Sequence, residues 1–143
     1  MSDADLLAGT WLFHRASKEV LDKLAAFTFH KNYKAGEVIF EEGQTGNGMF
    51  IVAEGKVEVL KNLESGNPQQ LAVLGKGEVF GEMALLDELP RSASVRARED
   101  TTCVGIDRFL FVTQLTKDPQ VSITMIQVLA RRLREMDATL KAQ

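Results

Sequence analysis

Nine of the 11 glycines in this chain lie between Gly36 and Gly81, so its middle must turn every few residues while its two ends run on almost unbroken. Glycine serves tight turns and weakens helix interiors, so the skew separates a sheet region from helical flanks. Between the turns lie Val38-Ile39-Phe40, Met49-Phe50-Ile51-Val52, Lys56-Val57-Glu58-Val59-Leu60, Gln70–Leu74, Ser92–Arg96 and Thr102–Ile106. Each run is short, rich in β-branched residues and closed by Gly, Pro, Asn or Asp, which predicts strands. Strands that follow one another with no helix between them cannot build a parallel crossover sheet. The expected fold is therefore mainly β with flanking helices, a jelly-roll-like antiparallel β-barrel, with Glu64–Pro68 as a hairpin tip.

The flanks have helical spacing. Leu6, Leu7, Trp11, Leu12, Val20, Leu21, Leu24, Ala25 and Phe27 predict two short N-terminal helices, with Ser17 as an N-cap. After Asp107, Phe109–Leu115 predicts one short helix, Asp118-Pro119 a break, and Val121 to Leu140 a long helix. Along that helix Ile126, Leu129, Leu133, Met136 and Leu140 form a heptad-like stripe, which either rests on the barrel or makes a dimer seam. At 143 residues the expected organisation is one domain: an N-terminal helical part over 6–34, a barrel over 35–107 and C-terminal helices over 108–143.

Composition narrows the function. Lys and Arg number 17 against 20 Asp and Glu, a net charge of -3, so the chain has no general attraction for nucleic acid or an anionic membrane, and any anion must be held locally. The single cysteine, Cys103, excludes an internal disulfide and reads as a small core residue. His14 and His30, the two histidines, are too few for a metal centre, so neither a metal nor a catalytic group is expected. Arg131, Arg132 and Arg134 read as a solvated helix face, with no groove-reading element beside them. No apolar run is long enough to cross a membrane and the N-terminus lacks signal-peptide features, so a cytoplasmic location is expected.

One stretch carries chemistry, from Gly77 to Val95. Its strand pattern is broken by one apolar helical turn from Glu82 to Leu86, preceded by Gly81. The amides of Glu82, Met83 and Ala84 are unpaired donors at the start of that turn, suited to an anion. Pro90 fixes the chain before Arg91, whose planar fork grips two phosphate oxygens, and the Ser92 hydroxyl and Ala93 amide add uncharged donors. Glu82 beside a phosphate would be repulsive unless it accepts a hydrogen bond, and a sugar hydroxyl is the obvious donor. The set asks for a ligand with one phosphate, an adjacent free hydroxyl and an apolar remainder.

At these positions the chain resembles the cyclic nucleotide-binding domain of the catabolite activator protein, of kinase regulatory subunits and of cyclic nucleotide-gated channels. The resemblance lies in Phe80-Gly81-Glu82-Met83-Ala84-Leu85 and Pro90-Arg91-Ser92-Ala93-Ser94-Val95, the phosphate-binding cassette over 80–95. Ala35–Gly43, Met49–Val57 and Leu129–Leu133 extend it. It implies that Arg91 takes the cyclic phosphate, Glu82 the ribose 2'-hydroxyl, and that Gly81, Met83, Ala84, Ser92 and Ala93 complete the shell. It further implies base contacts from Leu74 and Met136, and an Arg132 to Glu82 pair across the pocket. Asp137, where some relatives place a hydroxyl against adenine, is a departure.

The resemblance implies a non-enzymatic cyclic nucleotide sensor or regulatory module, with no cofactor, whose C-terminal helix responds to the ligand. Cyclic AMP (cAMP) is the expected ligand, since Ser92 stands where guanine-binding relatives usually have threonine; cyclic GMP (cGMP) is the alternative. The output is expected through a protein effector, a homodimer along the last helix, or a larger regulator or channel of which this chain is a part. A hydrolase on the same barrel lacks the metal or base it would need near Arg91, and a degenerate module is opposed by the intact Glu82 and Arg91.

Overall fold

The computed structural model describes residues 2–141, with side chains through residue 139. Chain order is α1 (Asp3–Ala8), α2 (Lys18–Ala25), β1 (Thr28–Tyr33), β2 (Val38–Phe40), β3 (Gly48–Glu54), β4 (Val57–Lys61), β5 (Gln69–Leu74), β6 (Val79–Phe80), α3 (Glu82–Asp87), β7 (Ser94–Ala97), β8 (Thr101–Asp107), α4 (Arg108–Lys117) and α5 (Pro119–Lys141). The strands pair antiparallel in two four-stranded sheets, β1-β8-β3-β6 and β2-β7-β4-β5. The sheets share no strand pair, so the jelly-roll is an open sandwich rather than a closed barrel.

Alternation along the central strands divides the core in two. Met49 and Ile51 of β3, with Val104 and Ile106 of β8, pack against the helices. Val52, Cys103 and the half-buried Phe50 point the other way, toward Val57, Val95 and Ala97 of the second sheet. Successive strand residues face opposite sides, so a strand covered on both faces must be apolar throughout. The unbroken run Met49-Phe50-Ile51-Val52 is one such strand. Burial within the second core pushes the Cys103 thiol up to about 12, so it stays a neutral, small apolar group.

The helix ends follow local chemistry. Ser17 Oγ accepts from the Val20 amide at 3.2 Å, Asp107 Oδ1 accepts from the Leu110 amide at 3.1 Å, and Pro119 opens α5. On α5 the buried side chains are Val121, Met125 and Val128, which join the helical core. The heptad-like stripe is not what rests on the sandwich: Ile126 is 66% exposed and Leu133 68%, while the Leu140 side chain lies outside the described residues.

Three strands depart from expectation. β1 falls inside the span expected to be helical, and it is mostly polar because it is an edge strand: it pairs only with β8, from Thr28 opposite Ile106 to Tyr33 opposite Thr101, and four of its six residues are exposed. β6 has two residues, too few for a sequence pattern. β7 starts at Ser94 rather than Ser92, since Arg91, Ser92 and Ala93 line a cavity.

Gly55 turns β3 into β4 at φ +92°, and a Cβ there would stand 2.5 Å from Asp100 O and 2.6 Å from Thr101 Oγ1. Thr101 Oγ1 also accepts from the Lys56 amide at 3.2 Å, so the turn has no room to shift. Gly55→Ala is expected to destabilise the protein by about 1–3 kcal/mol with an unchanged denaturant slope, as read by urea unfolding.

Candidate functional site

Gly81 links β6 to α3 with φ +73°, where glycine alone is unstrained. The turn needs glycine for a second reason: a Cβ there would come 2.6 Å from Arg91 Nη1. α3 turns Ala84 and Leu85 inward, leaves Glu82 half-buried and exposes Met83. Leu85 belongs to the helical core, so α3 is fixed from beneath while its other side meets the cavity.

Arg91 is held at both backbone groups by the loop that follows β2. Its amide donates to Gln44 O at 2.7 Å, its carbonyl accepts from the Gly43 amide at 2.8 Å, and Thr45 bridges to Pro90. In the same loop Gly46 lies so close to Ala84 and the Arg91 guanidinium that a Cβ would collide with them. The Arg91 side chain is 8% exposed, and Nη1 donates to Gly81 O at 3.1 Å. Among the described residues no carboxylate forms an ion pair with it. Burial pulls its pKa below the usual arginine value, and the charge of nearby Glu82 acts in the opposite sense.

Both groups open into a cavity of about 450 Å³ between α3 and the second sheet. Leu74, Gly81, Glu82, Met83, Ala84, Arg91, Ser92 and Ala93 all line it. Chemically this is a pocket with one desolvated cation, a short-helix amide edge and the carboxylates of Glu82 and Asp87 on an otherwise mostly apolar wall, an arrangement that can accept an anion joined to an apolar body. Among the described residues no three His, Cys, Asp or Glu side chains converge to hold a metal ion, and no helix is long and apolar enough to cross a membrane.

Arg132 and Met136, expected at the base, do not line this cavity. The Arg132 guanidinium lies 4.8 Å from the Trp11 ring centroid, in a groove shared with His14, Arg15 and Glu135, and makes no ion pair with Glu82. Met136 is 55% exposed beside Glu135 and Thr139. The physical reason is that α5 follows the helical core through Val121, Met125 and Val128 and does not cover the cavity mouth.

Two participants have no motif of their own. Phe40 faces the cavity with its ring centroid 4.0 Å from Arg91 Cζ; the sequence signal available was its alternation with Val38 in a strand. Arg108 joins the far end of α3 to the start of α4, pairing with Glu88 Oε1 at 3.1 Å and donating to Leu86 O at 3.5 Å. Its Nε is buried without a hydrogen-bond partner.

The cyclic nucleotide-binding domain family matches residues 30–118, a span that contains every residue lining the cavity. The chain belongs to that family. It is 39% identical over 134 residues to the cyclic AMP receptor protein of Thermus thermophilus, covering 94% of this chain and 62% of that protein, so it spans about three fifths of that relative's length. Among solved structures, the N-terminal domain of a transcriptional regulator from Streptomyces coelicolor superposes with a TM-score of 0.87 at 29% identity, covering 95% of each chain. The regulatory domain of Toxoplasma gondii PKA, crystallised with cAMP, gives 0.72 at 26% identity over 78% of this chain and 42% of that one.

A buried cation without a carboxylate weakens the fold that carries it. Arg91→Met keeps the volume and removes the charge, so the ligand-free variant is expected to be as stable as the parent or up to about 1–4 kcal/mol more stable by urea unfolding. A loss of stability would mean that Arg91 is a structural residue.

Proposed function

We propose that the chain is a non-enzymatic cAMP-binding regulatory module. The observation that carries this reading is Arg91: a cation 8% exposed, without a carboxylate partner among the described residues, at the wall of a cavity of about 450 Å³. In this reading Arg91 takes two oxygens of the cyclic phosphate, and Gly81, Met83, Ala84, Ser92 and Ala93 complete the shell. Glu82 accepts from the ribose 2'-hydroxyl, which turns a repulsive neighbour of the phosphate into a bound one. The base lies along the apolar wall that includes Leu74. Support for cAMP over cGMP comes from Ser92 and from the names of the Thermus and Toxoplasma relatives.

The module responds through α5. With α5 away from the cavity, a nucleotide gains affinity only in a conformation where that helix covers the base, and such a difference shifts the population. The exposed Ile126, Leu133 and Met136 give α5 an apolar face for a second copy of the chain, and a homodimer along it is part of the proposal. The location is cytoplasmic and the output passes to a protein effector or to a further region of a longer regulator.

Titration calorimetry with cAMP and cGMP tests the ligand. Arg91→Ala is expected to cost roughly 2–5 kcal/mol, about thirtyfold to several-thousandfold. Glu82→Ala and 2'-deoxy-cAMP remove the same hydrogen bond, so each loses about 1.5–3 kcal/mol and the combination loses little more than either. Additive losses would separate Glu82 from the ribose.

Hydrogen exchange tests the response. On adding cAMP the amides of Glu82 to Leu86 and those around Arg132 and Met136 are expected to slow together. Slowing confined to α3 would leave α5 as a fixed element or dimer seam.

A further inference from the structure

We propose that Phe40 is a positioning residue for Arg91, its ring face holding the guanidinium in place of a carboxylate and aiming it at the cavity. The 4.0 Å separation is well inside the roughly 6 Å over which a cation and an aromatic face attract. The ring is itself locked, 5.9 Å from Phe80 and 6.2 Å from Phe50, while Phe50 and Phe80 stack at 5.3 Å with planes 17° apart. Phe29 closes the group edge-on, 6.0 Å from Phe50. The seat for the guanidinium is thus a rigid aromatic cluster spanning both sheets.

The choice of partner matters for an anion site. A carboxylate against Arg91 would offset its desolvation but occupy its donors and repel an incoming phosphate. A ring face attracts the cation through its quadrupole while leaving the net charge intact and the N–H groups free of a competing acceptor. The contact that remains, Nη1 to Gly81 O, uses one donor of five and fixes the rotation of the fork. Gly81 makes this geometry possible, since its missing Cβ would lie 3.3 Å from the Phe40 ring and 2.6 Å from Nη1. Phe40 also lines the cavity, and the role proposed for it here is the one exerted through Arg91's charge and orientation.

The affinity part of this inference rests on the proposed cyclic nucleotide site, and the stability part does not. In the full chain, 4-fluoro-, 3,5-difluoro- and 3,4,5-trifluorophenylalanine at position 40 withdraw density from the ring face at nearly constant size. The ligand-free Tm is expected to fall stepwise, by about 3 °C or more across the series, with Arg91 present, and to show no such fall in an Arg91→Met background. The affinity for cAMP is expected to fall in the same order, about tenfold by the trifluoro ring, with Phe40→Tyr near the parent and Phe40→Leu at least as weak as the trifluoro protein. Equal Tm slopes in the two backgrounds would show that the ring acts by packing alone and overturn the proposal, as would an affinity indifferent to fluorination. If the parent binds neither cAMP nor cGMP, the proposed function fails, and the two Tm slopes still decide whether the ring holds the cation.

Discussion

The β3–β8 pair is the constraint from which the rest of the structure follows, because it is covered on both faces. One side of these strands closes the helical core through Met49, Ile51, Val104 and Ile106, and the other closes the sandwich through Val52 and Cys103. A one-residue slip in their register would exchange the two sets and unmake both cores at once. Register here also places the site. Phe50 lies opposite Phe80 in the β3–β6 ladder, and the residue after Phe80 is the glycine that starts α3. The cassette is therefore launched from β6, whose register is set by its pairing with β3.

Against that rigid frame, Arg91 is a local cost that the fold tolerates. Desolvating a guanidinium is unfavourable, and in a purely structural position it would be matched by a carboxylate. Its backbone is instead fixed by Gly43 and Gln44, while its side chain meets a carbonyl and an aromatic face. Two glycines, Gly46 and Gly81, leave the space the guanidinium occupies. Charge, room and fixed orientation are what an anion site requires and what a core does not.

The sequence was legible where local chemistry decides the outcome. Apolar runs closed by turn residues located six of the eight strands, and the turn from Glu82, Ser17's cap and the helix opened by Pro119 all depend on neighbours within a few residues. The cavity-lining residues from Gly81 to Ala93 were legible through their order in the chain. Where a partner far along the chain decides, the signal failed. β1 is a strand because β8 offers it an edge, though Phe29-His30-Lys31-Asn32 has the polarity of a loop. The stripe on α5 has a clear period, yet spacing alone gives no indication of which face the core takes, and the face one residue out of step, through Val121, Met125 and Val128, is the buried one. Arg132, on that helix, lies against Trp11 and not at the cavity.

α3 is the element in which the site and the helices meet. Ala84 lines the cavity, Leu85 sits in the helical core, and Glu88, in a left-handed conformation at the helix end, pairs with Arg108 at the first position of α4. A ligand that moved α3 by a fraction of an ångström would have to move Leu85 and Arg108 with it, since neither a packed core nor a 3.1 Å ion pair stretches freely. The Arg108 Nε, buried without a partner, marks this joint as imperfectly satisfied. On the far side of the joint, every described side chain of α5 from residue 130 to residue 139 is exposed, and Arg132 rests against the Trp11 ring of the N-terminal part. A displacement of α3 would therefore be passed to α4 by rigid-body packing through Leu85 and Arg108.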